Sequence, residues 1–123
     1  MKVQSYKDLL VWQKAMLITK DVYLLVRNLP KEELYSLSDQ IHRSAISIPS
    51  NIAEGQERNS TRDFVHFLNI DQGSRAELET QLLIGSSIGY FENNVVEPIL
   101  NNLSELGKMI NSLINKLQKK VEE

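Results

Sequence analysis

The segment Ser47 to Thr80, SIPSNIAEGQERNSTRDFVHFLNIDQGSRAELET, carries the end of one helical pattern and most of another, and its reading decides the fold. Leading into it, Leu34, Leu37, Ile41, Ala45, Ile48 and Ile52 recur at intervals of three and four, the spacing of a helix with one apolar face. Beyond it, Phe64, Phe67, Leu68, Ile70, Leu78 and Leu82 mark a second buried side. Between them Gly55 offers a left-handed stop, and Ser60 with Asp63 offers an N-cap and an acid in the first turn of the restart. The spacing therefore predicts two helices folded into a hairpin. Pro49 lies inside the first of them and lacks the amide that would bond to the Ala45 carbonyl, which predicts a kink. Gly73 and Ser74 leave a gap of small residues where another backbone is expected to pass.

Working outward, a first helix is expected from near Ser5, as N-cap, to about Asn28. Val11, Ala15, Ile18, Val22 and Leu25 form one seam, and Leu9, Trp12, Met16, Tyr23 and Val26 a second beside it. Leu29-Pro30 ends this helix, and the next is expected to start between Lys31 and Ser36. After a turn at Tyr90 to Asn94, a last helix repeats Val96, Ile99, Leu103, Leu106, Ile110, Leu113 and Leu117, with Pro98 expected in its first turn. Four amphipathic helices with short connections predict an all-α, antiparallel up-and-down four-helix bundle, a single domain over residues 1–123. A bundle needs one apolar stripe per helix. The extra seams on the first and fourth helices therefore predict a subunit interface.

Composition sets outer limits. With 41% hydrophobic and 24% charged residues the chain reads as globular rather than disordered. A formal charge of −2 gives no overall field toward nucleic acid or anionic membrane. The absence of cysteine excludes disulfides, thiolate zinc sites and a cysteine nucleophile. No apolar run approaches the roughly 18 residues of a membrane span, and a cytoplasmic location without membrane contact is the expectation.

The candidate functional residues are the polar ones in unexpected places. Asn51, Glu54, Ser74 and Glu77 fall on or beside apolar stripes, where packing alone would place Leu or Ile. Pairing the hairpin about Glu57 sets Asn51 opposite Phe64, Arg43 near Asp71 and Gln72, and Gln40 near Arg75. One reading is a structural network of Arg43, Asn51, Glu54, Asp71, Ser74 and Glu77, in which Asn51 and Glu54 serve the loop and the carbonyls freed by Pro49. The other is a ligand- or protein-binding pocket.

Asp39-x-x-His42 and Asp63-x-x-His66 have the spacing of bundle metal ligands. The hairpin register nevertheless leaves the two histidines ~10 Å apart, and the first helix offers no inward carboxylate. No metal, cofactor or catalytic constellation is expected, and an enzyme is not the reading. For a partner or nucleic acid, the candidates are Lys7, Lys14, Lys20 and Arg27 on the first helix and Arg58 and Arg62 at the hairpin end. Both patches are narrow or interleaved with acids, which predicts weak nucleic-acid binding.

Nearly the whole chain resembles the four-helix bundle family first known from open reading frames in intervening sequences of bacterial 23S rRNA genes. The residues that carry the resemblance include Tyr6, Val11-Trp12, Leu29-Pro30, Gln40-Ile41, Arg43, Asn51-Ile52-Ala53-Glu54-Gly55, Phe67-Leu68, Gly73-Ser74 and Glu77-Leu78-Glu79-Thr80. The resemblance implies a left-handed bundle assembled into homopentameric rings with no known enzymatic activity. One branch is similar to the accessory variability protein of diversity-generating retroelements, which binds a reverse transcriptase and nucleic acid through a basic barrel. This chain departs from it in its pI of about 5.7 and in Asp71, where the family more usually has a small residue. The expected role is a non-enzymatic oligomeric scaffold or adaptor presenting a ring surface to a partner protein. A weak RNA- or DNA-binding ring is the alternative.

Overall fold

A computed structural model describes residues 5–122. Four helices account for most of the chain: α1 (Leu10–Val26), α2 (Leu37–Gln56), α3 (Thr61–Ser87) and α4 (Asn93–Glu122). Each packs on its neighbours in sequence and α1 closes on α4, while among the described residues the backbones of the diagonal pairs do not approach one another. This is the four-helix bundle that the apolar periodicities predict. The α2–α3 contact is the most extensive and the α1–α4 contact the least.

The core follows those periodicities closely. Val11, Ala15, Ile18, Val22 and Leu25 of α1 meet Ile41, Ala45, Ile48 and Ile52 of α2, and Leu103, Leu106 and Ile110 of α4 complete the interior. On α3 the buried row is Val65, Leu68, Asp71, Ser74, Leu78 and Leu82. Phe64 and Phe67 are half-buried and Ile70 is exposed, so the inward face lies a step away from the one expected.

Several boundaries differ from expectation, each for a local reason. Ser5 caps a short 3-10 helix, Tyr6–Asp8, by accepting from the Lys7 amide at 3.2 Å, rather than opening α1. Tyr6 then stands edge-on to Trp12 with ring centroids 5.3 Å apart. The second helix starts at Leu37 because the Glu33 carboxylate accepts from the Ser36 hydroxyl and, at 3.4 Å, from the Leu37 amide, capping the chain there. Leu34 is consequently exposed. The second Glu33 oxygen accepts from the Tyr90 hydroxyl at 2.7 Å, tying the α1–α2 connection to the α3–α4 turn. Those two hydrogen bonds, from Ser36 first and Tyr90 second, hold the Glu33 pKa below its ordinary value.

Gly55 is not a left-handed stop. It lies inside α2, and a Cβ built on it would stand 2.7 Å from the Phe67 Cβ, so its role is to let α3 approach. The expected close approach at Gly73 is absent, because that residue faces open space. The left-handed glycine is Gly89, at φ 87°, where the Tyr90 amide bonds back to Gly85 and the Gly89 amide to Ser86. Pro98 is the sixth residue of α4 and lies beyond its first turn. α2 runs unbroken through Pro49, and the Ala45 carbonyl that the proline leaves without a donor lies 3.2 Å from the Thr19 hydroxyl of α1. That hydroxyl also reaches the Ala15 carbonyl at 2.8 Å. The partner expected from Asn51 or Glu54 thus comes from another helix.

Candidate functional site

The polar residues singled out from the sequence do not form one network within the chain. Arg43 is exposed and pairs with Asp39 at 3.0 Å, one turn away on the same helix. Glu54 is exposed and lies 3.5 Å from Arg58, again within one turn. Glu77 is exposed. Arg75 faces α4 rather than Gln40: it bonds to Gln72 and Glu79, and Gln72 donates to the Gly107 carbonyl at 2.8 Å. The observed α2–α3 register lies about two turns from the expected one. It brings Asn51 to Asp71 instead of Phe64.

Asp71 is the anomaly of the interior. The α3 period puts it on the core face at 0% exposure, and neither carboxylate oxygen has a hydrogen-bond partner among the described residues. Burial raises its pKa from 3.8 to about 8, and the nearby Asn51 amide, outside hydrogen-bond geometry, lowers it only partly. No other charge contributes to the shift. At neutral pH the group is therefore mainly a neutral carboxylic acid in an apolar setting. Ser74, one turn further along α3, is the other buried polar residue on that row. From the sequence Asp71 is expected in a paired polar network beside Arg43, and it departs from a usual small residue; the structure instead leaves it buried without that partner. Its position on the 65-68-71-74-78-82 row was the available signal.

On the outside, the expected second α1 seam is only partly open: Val26 is buried and Leu9 and Trp12 pack against the core, while Met16 and Tyr23 are exposed beside a leucine row that belongs to neither expected seam. Leu10, Leu17 and Leu24 recur every seven residues at 70%, 53% and 45% exposure, flanked by Met16 and Tyr23. Leu83, Ile84 and Ile88 form a second exposed cluster at the end of α3. α4, expected to contribute a second interface seam, instead turns its leucines inward, leaving Val95 and Val121 as its exposed large apolar residues. The basic face of α1 is likewise divided. Lys14 is drawn 3.2 Å from Glu105 of α4 and Lys7 leans over the Tyr6 ring, whereas Lys20 and Arg27 are exposed and form no salt bridge among the described residues. At the hairpin end Arg58 covers the Phe67 ring at 5.1 Å and Arg62 is exposed. His42 stacks on Tyr23, ring centroids 4.2 Å apart, and His66 meets Phe67 edge-on, so neither is directed at a shared centre.

The family described as 23S rRNA-intervening sequence protein matches residues 7–112. The chain belongs to that family. A solved structure from Bacteroides thetaiotaomicron, described as a protein of unknown function from the S23 ribosomal protein family, superposes with a TM-score of 0.79 at 29% identity, covering 85% of this chain and 98% of that one. No curated protein matches the chain. In this member of the family the N-I-A-E-G run divides by face. Ile52 is core, Gly55 admits Phe67, Asn51 turns toward Asp71, and Glu54 points outward to Arg58. Most of that signature thus serves the α2–α3 contact.

Proposed function

We propose that the protein is a non-enzymatic assembly module, whose copies associate through the apolar surface their bundles leave uncovered and present a composite ring, most simply a pentamer, to a partner protein. The observation that supports this is the exposed Leu10, Leu17 and Leu24 row. Three leucines at heptad spacing in water are unfavourable at ~25 cal/mol per Å² of apolar surface, and a second helix of the same kind removes the cost. The family resemblance over nearly the whole chain implies the ring geometry. Light scattering at micromolar concentration is expected to give several times the 14.1 kDa chain mass. A folded, soluble monomer overturns the reading.

Nucleic-acid binding is a second reading, favoured by the exposed Lys20 on α1 and Arg27 at its C-cap, which form no salt bridge among the described residues and which a ring would repeat around its axis. With so few phosphate contacts per subunit, binding to mixed oligonucleotides is expected to be weak and to fall steeply with salt. Submicromolar binding at roughly 150 mM salt, lost in Lys20→Glu and Arg27→Glu, would make this the leading function.

A further inference from the structure

Where α1 gives way to its connection with α2, the surface carries an open hollow of about 300 Å³ whose lining contains no carboxylate. Its wall is the stacked Tyr23–His42 pair, with ring planes 20° apart. Arg27, one turn after Tyr23 on α1, and Lys31, just past Pro30, stand in the lining as two cations. Of the acids nearest in sequence, Glu33 holds Ser36 and Tyr90 and Asp39 holds Arg43, while the exposed Glu32 stands outside the lining. Val26, Leu29, Pro30 and Leu34 supply the apolar part of the lining, and the buried Ser38 adds a hydroxyl group.

A ligand complementary to this hollow has a flat apolar face to lie against an aromatic pair or the leucines, and an anion to meet Arg27 and Lys31. We infer that the hollow is a binding site for a single nucleotide unit, the base against the Tyr23–His42 wall and Leu34, the phosphate between Arg27 and Lys31. The volume suits one such unit at the small end of ligand pockets. Base stacking on aromatic side chains tolerates any base, and Arg recognises phosphate by paired hydrogen bonds. An acidic peptide would satisfy the cations but would leave the flat wall unused. The site deepens the nucleic-acid reading by naming a place and a ligand unit, yet it requires neither a ring nor a long strand.

The test is calorimetric titration of the full chain with AMP, UMP, inorganic phosphate, a mixed-sequence single-stranded octanucleotide and a short Phe-Asp peptide. AMP and UMP are expected to saturate at one per chain with similar affinity, and phosphate to bind about tenfold more weakly or worse. Tyr23→Ala is expected to weaken both nucleotides about tenfold, and Lys31→Gln, on an exposed connector where folding is not at risk, to weaken them and reduce their salt dependence. Upfield shifts of the His42 ring protons on adding AMP locate the base independently of any variant. An octanucleotide that binds no tighter than UMP identifies free nucleotide as the source, and a tighter one identifies a strand. The inference is overturned if neither nucleotide saturates, if phosphate or the peptide binds as tightly as the nucleotides, or if Tyr23→Ala and Lys31→Gln bind like the parent. Failure of the octanucleotide alone removes the strand reading and leaves the nucleotide site standing.

Discussion

Two regions of this bundle break the rule of apolar inside and polar outside in opposite directions. The middle of α3 buries a carboxyl group, Asp71, where a leucine would pack, and the outer face of α1 leaves three leucines in water. The two differ in what could relieve them. Asp71 is enclosed by its own chain, so its cost is carried by every folded copy and must appear in stability. The α1 row is open, so its cost disappears on association and must appear in mass.

The largest expected effect comes from the buried acid. With a folded pKa near 8 against 3.8 when exposed, Asp71 keeps its proton in the folded chain while the unfolded chain releases it. A raised folded pKa means that the contribution is fully present below the unfolded pKa and is lost as pH rises through the folded one. Stability should therefore fall by up to ~1.4 kcal/mol per pH unit across that window, less wherever water reaches the group. Asp71→Asn, similar in shape but unable to ionise, is expected to flatten this slope in denaturant melts between pH 4 and 9 and to be clearly more stable than the parent at the alkaline end. An unchanged slope would mean that the carboxyl group is hydrated.

Next comes the α2–α3 contact at Gly55, one turn along α2 from Asn51. Gly55→Ala would press a methyl group against the Phe67 Cβ, which cannot swing aside as a side-chain tip would. Overpacking of this kind costs ~1–3 kcal/mol, and the gain in helix propensity returns ~1. Net destabilisation of up to about 2 kcal/mol is expected by urea denaturation. Thr19→Val should cost about 1 kcal/mol, because it keeps the shape but removes the hydroxyl beside the Ala45 carbonyl that Pro49 leaves open.

The smallest effect on stability is expected on the open side of the comparison. Leu17→Glu, at an exposed α1 position, should leave the far-ultraviolet spectrum unchanged and alter the stability of the single bundle by no more than ~0.5 kcal/mol. Its sedimentation mass should nevertheless fall toward 14.1 kDa. An assembled Leu17→Glu protein would move the interface to the Leu83, Ile84 and Ile88 cluster.

Helix number, order and most core positions were legible in the sequence, because a three-and-four period of Ile, Leu and Val has one low-energy outcome in water. The α2 and α4 rows illustrate this: Ile41, Ala45, Ile48 and Ile52, and Leu103, Leu106 and Ile110, are all buried as their spacing requires. The Ser60 cap was also legible, since its hydroxyl accepts from the Asp63 amide at 3.0 Å within its own turn. The polar positions were less so. Asn51, Glu54, Ser74 and Glu77 look alike on a helical projection, yet Ser74 is buried, Asn51 half-buried, and Glu54 and Glu77 exposed.

What the sequence by itself determined is the set of four amphipathic helices and the local devices that start and stop them, since these depend on interactions within a few residues. Tertiary structure alone decided the rest. The rotation of α3 about its axis chose Asp71 rather than Ile70 for the interior, and the axial register of α2 against α3 chose Asp71 rather than Phe64 as the neighbour of Asn51. It also decided that Thr19, 26 residues before Ala45, would serve the carbonyl opposite Pro49. Rotation and register are set by how whole faces interlock, and a change of a few residues along the chain costs the local helix nothing while it exchanges every partner across the interface.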